Sequence, residues 1–366
     1  MDIATKDSGG SAALPYFLGW ISLPLFALAV WYGGVWVIAG PILFYTIPVV
    51  LDAVSERDAE SGARSREEFG PEIDRFRVVL LLWPFVQLAM LVFALYVTCV
   101  LRRHSLLEIV ALYFFAGQIT STIGIVYAHE LMHGRSRLQI FLADVLMAMA
   151  LYAHFRTEHL FVHHRYVGTP RDTVTARFGE SLYGFYARVL PGSLVSAWRI
   201  EAARLQQRGF PVWHYANPFW RYAGLEIAFL ALAATVGGWL GVVLWIYQAL
   251  VALLILEAVN YIEHYGLMRR EIEPGRYEPL ALHHSWNSSH KFTSYLLINL
   301  TRHPDHHYRP DYPYQLLSSY RTASAPQMPY SYPVMLACAF APPVWRKMMH
   351  PRIRKWRERY GYASGG

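Results

Sequence analysis

Six apolar runs constrain this chain more than any other feature. They are Leu14 to Trp31, Val35 to Val54, Val78 to Leu101, Ser105 to Ala128, Tyr222 to Val236 and Trp239 to Val259. Their apolar residues are blocked together and show no strand or helical period. A bilayer core takes about 20 helical residues to cross, and its dryness forces backbone groups to pair within the segment. The sequence therefore predicts an all-α integral membrane protein with six transmembrane helices. With 54% apolar and 16% charged residues, the composition agrees.

The connections divide the chain. Tyr32-Gly-Gly and Arg102-Arg103-His104 are short turns, and Gly237-Gly238 breaks a second hairpin. Residues 1–13 are small and polar, and are expected to be disordered ahead of a single membrane domain over 14–366. The first run, followed at once by a second, reads as an anchor and not a cleaved signal. Leu138 to Tyr152 is too short to span and carries Asp144, so it reads as a helix in the interface or packed on the bundle. The charged 55–77 segment reads as a solvated loop. Basic residues concentrate there, in 129–221 and in 260–366. An even number of spans puts all three on one side, and the positive-inside rule makes that side cytoplasmic. Regions 129–221 and 260–366 then form a cytoplasmic helical cap. The net charge of +7 is explained by basic loops facing an anionic leaflet, and no nucleic-acid partner is expected.

Nine of the sixteen histidines fall in four clusters on that side. They are His129-Glu-Leu-Met-His133, Glu158-His159-Leu-Phe-Val-His163-His164, Asn260-Tyr-Ile-Glu-His264-Tyr-Gly and His303-Pro-Asp-His306-His307. Residues i and i+4 share a helix face, so His129 and His133 supply two imidazoles to one ion. His159 and His163 repeat that spacing, while His164 is turned away and is free to reach a second ion. His303, His306 and His307 share a face if helical. Nine nitrogens suit two metal ions with four or five each. His104, His214 and His350 read as ordinary histidines, and His154, His283, His284 and His290 match no ligand spacing.

Affinity alone admits zinc, copper, nickel or iron at an all-nitrogen site. His-Glu-x-x-His also matches the zinc-protease pattern, with the Glu as general base, but that leaves seven histidines idle. A membrane metal transporter is a further alternative. Against it, no ionisable residues line a path through the spans except Glu226 and Glu257 near span ends. A metal pair at the mouth of an apolar bundle suits redox chemistry on a greasy substrate, for which iron with dioxygen is the usual solution. Cys99 and Cys338 sit in apolar runs outside any Cys-x-x-Cys pair, which excludes a disulfide framework, a thiolate zinc site or an iron–sulfur centre.

The four clusters together resemble the membrane desaturase and hydroxylase superfamily, and within it the membrane alkane 1-monooxygenases. Asn260 to Leu267 resembles the box that separates these hydroxylases from desaturases. Gly179 to Tyr183, His284 to Asn287, Ala325 to Pro329 and Pro342 to Trp345 also resemble the family. Gly134 and Val162 depart from the usual first and second boxes. The resemblance implies two non-haem iron ions held by His129, His133, His159, His163, His164, His264, His303, His306 and His307. It implies O2 as cosubstrate and terminal hydroxylation of a medium- or long-chain n-alkane, in a bacterial inner membrane. Xylene-type aryl-methyl monooxygenases are a near sister group, and Glu263 favours the alkane side.

Metal-bound imidazoles normally donate their second N–H to a carboxylate or carbonyl. Glu130, Glu158, Asp172, Glu263 and Asp305 are candidates, with Glu263 and Asp172 favoured by their counterparts in the resembling family. An apolar substrate would enter from membrane lipid. Trp286 and Asn287 are candidates for the site wall, and Trp36, Phe44 and Tyr45 for limiting chain length. With no redox centre of its own, the chain needs an electron carrier. The resemblance implies rubredoxin with its NAD(P)H-dependent reductase, docking on a basic face that includes Arg165, Arg171 and Arg177.

Overall fold

The computed structural model describes residues 14–57, 73–320 and 324–362; the expectations for 1–13 and for most of the 55–77 loop lie outside them. The described chain is mostly helical, with one two-stranded hairpin, β1 (Glu271–Glu273) and β2 (Arg276–Tyr277). Among the described residues, five helical stretches are long and apolar enough to cross a membrane: Leu14–Tyr32, Trp36–Val54, Arg77–Val100, Leu106–Met132 and Phe219–His264.

The first stretch is a 3-10 turn (Leu14–Ile21) running into α1 (Ser22–Tyr32), followed by α2 (Trp36–Val54). After α3 (Ile73–Leu95), helix α4 (Leu106–Ile119) passes through a π-helical stretch, Thr120–Ile125, into α5 (Val126–Met132). Ser105 starts α4 with a capping box: Glu108 accepts the Ser105 N–H, and Ser105 Oγ accepts the Glu108 N–H. Glu108 Oε1 also accepts the N–H of Gly34 at 2.6 Å, tying the α1–α2 turn to the start of α4.

Leu138 to Tyr152 lies against the bundle as α6 (Arg137–Met149). Its fully buried Asp144 accepts hydrogen bonds from Arg156 and Arg221, both at 2.7 Å, which offsets the cost of burying the carboxylate. There follow α7 (Phe155–Glu158), a π turn (His159–His163), α8 (His164–Tyr166) and α9 (Leu182–Gln207).

Helix α10 (Phe219–His264) has 46 residues, but Gly238 within it is non-helical at φ 60°. That left-handed geometry costs glycine little, and it divides α10 into two limbs. The second limb packs on α4, where a Cβ on Gly117 would lie 2.6 Å from Gln248 O. Gln248 accepts from Thr120 Oγ1 and donates to Met149 O, so α10, the π stretch and α6 share one buried link.

The C-terminal region adds α11 (Lys291–Leu296), α12 (His303–Tyr308), α13 (Tyr332–Ala339) and α14 (Pro342–Arg359). Buried Asp52, near the end of α2, accepts the backbone N–H groups of Phe292 and Thr293 and the Thr293 hydroxyl. It thereby caps α11 from another element. Ile298 and Asn299 both adopt positive φ just before α12. Asn299 holds this turn by donating to Tyr16 Oη and Tyr314 O. Such over-determined strain is common beside functional groups.

Candidate metal centre

All nine clustered histidines converge at one end of the bundle, in two groups. His129, His133, His159, His164 and His306 form one, and His163, His264, His303 and His307 the other. Within each group the ligand nitrogens lie within 4.8 Å of one another. Four elements deliver them: the α4–α5 stretch, the α7–α8 stretch, the end of α10, and α12.

The division differs from that expected on α-helical spacing. His159 pairs with His164, their Nε2 atoms 3.0 Å apart, while His163 joins the other group. The cause is local. Residues His159–His163 are π-helical, with more residues per turn, so positions five apart share a face. His306 likewise leaves His303 and His307. Its Nε2 lies 3.1 Å from His164 Nε2, whereas His303 and His307 approach to 2.9 Å. Each of these two short segments thus feeds both groups.

The donor set fits metal ions. Nε2 atoms sit 3.2 Å apart for His133–His159 and 2.9 Å for His264–His303. Two nitrogens each about 2.1 Å from one ion and at right angles to each other would be about 3.0 Å apart. His163 is the most explicit case. Its Nδ1 is 2.9 Å from Asp172 Oδ2, while its buried Nε2 has no hydrogen-bond partner among the described residues. With the proton on Nδ1, a bare lone pair faces the other three imidazoles.

Burial favours the neutral form of six of the other imidazoles. Burial pushes His133 down to about 4. Burial first, then the neighbouring rings, holds His159, His164, His303, His306 and His307 well below the usual imidazole range. For Asp172, burial alone would raise the carboxyl, but His163 and the hydrogen bonds from Thr175 and the Val174 N–H bring it below its usual value. Glu158, fully buried with neither oxygen hydrogen-bonded among the described residues, is pushed well above the carboxylate range by burial and by the charges of Asp172 and Glu257. Neutral imidazole is the metal-binding form.

The other acids divide. Glu263 Oε1 lies 3.4 Å from His303 Nδ1 and accepts the Tyr332 hydroxyl at 3.0 Å. Glu130 turns aside to accept the Tyr314 N–H at 3.1 Å, which removes the geometry a protease-type base needs. Asp305 holds the following loop through Arg309, the Ser318 N–H and Tyr320 Oη.

A narrow apolar pocket ends on the histidines. His129, His159 and His303 line it, together with Asn260, Glu263 and aliphatic residues of α10, α11 and α13. Of the five side chains expected on its wall, Tyr45 is there, hydrogen-bonded to Thr122 Oγ1 at 2.8 Å. The other four are not. Phe44 is buried behind it against Phe115, and Trp36 packs half-buried against the core. Trp286 Nε1 donates to Tyr265 O, and Asn287 Nδ2 donates to Gln327 Oε1, so both fix the loop beneath the site. Thr122 and Tyr332 are wall residues that the histidine spacing had no means of marking.

A third cluster, Glu278, His283 and His284, was also missed. His284 Nδ1 accepts the Ala281 N–H at 2.9 Å, which puts the proton of its neutral form on Nε2, facing Glu278 and Tyr362 Oη. It is a hydrogen-bonded knot, without a free lone pair on His284 for an ion.

Apolar helices of spanning length, with two all-histidine groups beneath an apolar pocket, define a histidine-box protein of the membrane type whose clusters could hold metal ions. A sequence profile for fatty acid desaturases matches residues 104–339. An alkane 1-monooxygenase of Pseudomonas aeruginosa is 44% identical over 241 residues, 66% of this chain and 62% of that protein. A second from the same organism is 36% identical over 319 residues, 86% of this chain and 83% of its own length. That of Ectopseudomonas oleovorans is 34% identical over 92% of this chain and 80% of its own length. The chain belongs to the fatty acid desaturase family, and within it to the alkane 1-monooxygenase group.

Proposed function

We propose that this chain is a non-haem diiron monooxygenase that hydroxylates the terminal methyl of medium- or long-chain n-alkanes to 1-alcohols. The observation that carries the reading is the apolar pocket ending on His129, His159 and His303, members of the two histidine groups. The reaction consumes O2, two electrons and two protons, and releases water. One iron in each group would supply reduction of dioxygen and the oxidising strength to break an unactivated C–H bond.

The protein's share is placement. His129, His133, His159, His164 and His306 would hold one ion, and His163, His264, His303 and His307 the other. Asp172 keeps the proton of His163 on Nδ1. The pocket offers few polar partners, so an alkane is held by shape and dryness and is oriented along its length. Electrons would come from rubredoxin and its NAD(P)H-dependent reductase, docking on a basic face that includes Arg165, Arg171 and Arg177.

The two limbs of α10 are read as separate spans, which makes six and returns the chain to one side within a single membrane domain in a bacterial inner membrane. In a background lacking Cys99 and Cys338, cysteines at Trp239 and Tyr215 are expected to react with impermeant maleimide from opposite sides. Labelling from the same side would remove the sixth span and the cytoplasmic placement of the histidines.

The function is tested with purified protein in lipid, given rubredoxin, reductase and NADH, with octane, hexadecane and p-xylene in competition. Near two irons per chain and 1-alkanols are expected. Methylbenzyl alcohol as the main product would move the reading to the aryl-methyl branch. Zinc in place of iron with no oxidised product would sink it, and metal uptake into sealed vesicles would point to transport. Tyr45→Ala serves as the internal probe of the pocket. Thr122, its partner, sits seven residues before His129, roughly 10 Å along the helix. Removing the ring should raise the hexadecane-to-octane product ratio roughly tenfold or more. An unchanged ratio would take Tyr45 off the substrate path.

A further inference from the structure

A second concave site lies away from the histidines. A cleft of about 370 Å³ opens between the end of α9, the 210–218 loop and the start of α10. Arg156, Arg204, Arg208 and Arg221 line it, with Glu201. Asp144 binds Arg156 and Arg221 from below, and Glu201 accepts from Arg204 at 2.8 Å. Four guanidinium groups against two carboxylates leave an excess of positive charge. The Arg208 side chain has no hydrogen bond or ion pair among the described residues; its guanidinium lies over Phe210.

The depth of this cleft is fixed by the chain. Asn217 Oδ1 accepts the N–H of Phe219, the first residue of an apolar helix of spanning length. Around it Trp213, Tyr215 and Trp220 are exposed by 66%, 86% and 53%. Exposed tryptophan and tyrosine at the mouth of a span settle at headgroup level. Guanidinium groups present paired donors that match phosphate oxygens.

We propose that this cleft binds the phosphate of an anionic phospholipid headgroup from the adjoining leaflet. A docking protein would meet a basic surface from the aqueous side. Here Arg156 is held deep at the floor, Arg204 and Arg221 are tied to Glu201 and Asp144, and the rim is aromatic. That shape suits a headgroup whose acyl chains stay in the bilayer. The proposal rests on reading Phe219 onward as a membrane span and does not depend on the oxygenation reaction.

The full-length protein is first floated with phosphatidylcholine vesicles, then placed in phosphatidylcholine nanodiscs containing phosphatidylglycerol, and retained lipids are read by native mass spectrometry. Arg204→Ala/Arg208→Ala is compared with Lys347→Ala/Lys355→Ala, which removes equal charge from exposed positions on α14. The wild type and the lysine variant should retain phosphatidylglycerol over phosphatidylcholine. The arginine variant should lose affinity roughly thirtyfold, as for two basic residues beside an anionic surface. Arg208→Ala alone should show part of that loss if the double variant folds poorly. Equal retention by both double variants would overturn the proposal. So would binding of inorganic phosphate without lipid preference, or weakened rubredoxin docking with lipid retention unchanged. Failure to float would sink the span reading together with this one.

Discussion

Replacing His264 with alanine is expected to abolish oxygenation while the protein remains inserted, and to reduce bound iron from near two per chain to near one. His264 is completely buried at the end of α10, and its Nε2 lies 2.9 Å from His303 Nε2. Its group holds four nitrogens, one fewer than its neighbour, so losing one leaves three and opens a coordination position. Removing a partner of a ligand typically costs 10- to 100-fold in affinity or activity, so removing a ligand should cost more than a hundredfold in turnover. The five-histidine group does not contain His264 and should keep its ion. The decisive readings are iron per chain and product formation, with the thermal unfolding midpoint as control. Full activity with two irons would take His264 out of the ligand set. Loss of both irons with a collapsed midpoint would mean that the ring holds the fold as well.

The legibility of this protein from its sequence follows from the physics of each part. Spans are legible because the bilayer demands long apolar runs, and the five stretches found coincide closely with runs in the chain. The nine histidines were legible because repeated His-x-x-x-His spacing is rare and all four clusters fall at or beyond the ends of apolar runs. Their division was not. It depends on the π turn at His159–His163, which α-helical spacing cannot anticipate, and on α12 sitting so that His306 faces His164. Asp172 is marked by the family resemblance, and it lies close in sequence too: it stands nine positions after His163, and the loop folds straight back. Trp286 and Asn287 misled for the opposite reason. They adjoin the His283-His284 pair, but their polar atoms are used by Tyr265 O and Gln327 in holding a loop. Pocket walls such as Thr122 and Tyr332 come from separate helices, and only packing brings them together.

The same local fold makes Asp172→Asn the sharpest test of how the four-histidine group is kept ready. In the wild type, Asp172 Oδ2 faces His163 Nδ1 at 2.9 Å and accepts the Thr175 hydroxyl at 2.6 Å, while Oδ1 accepts the Val174 N–H at 2.9 Å. An asparagine that keeps its carbonyl on Val174 N–H turns its NH2 toward His163. That amide donates, so Nδ1 must accept and the ring proton moves to Nε2. The lone pair aimed at His264, His303 and His307 is then lost, although the side chain has nearly the same shape. Affinity for metal at this group should fall 10- to 100-fold, the usual cost of losing such a partner. The five-histidine group should be little changed. Competition with a graded series of chelators separates the two groups, and added iron should restore part of the turnover. A purely structural role would lower the unfolding midpoint and leave both affinities alike. Unchanged metal affinity in a stable variant would show that His163 keeps its tautomer without Asp172.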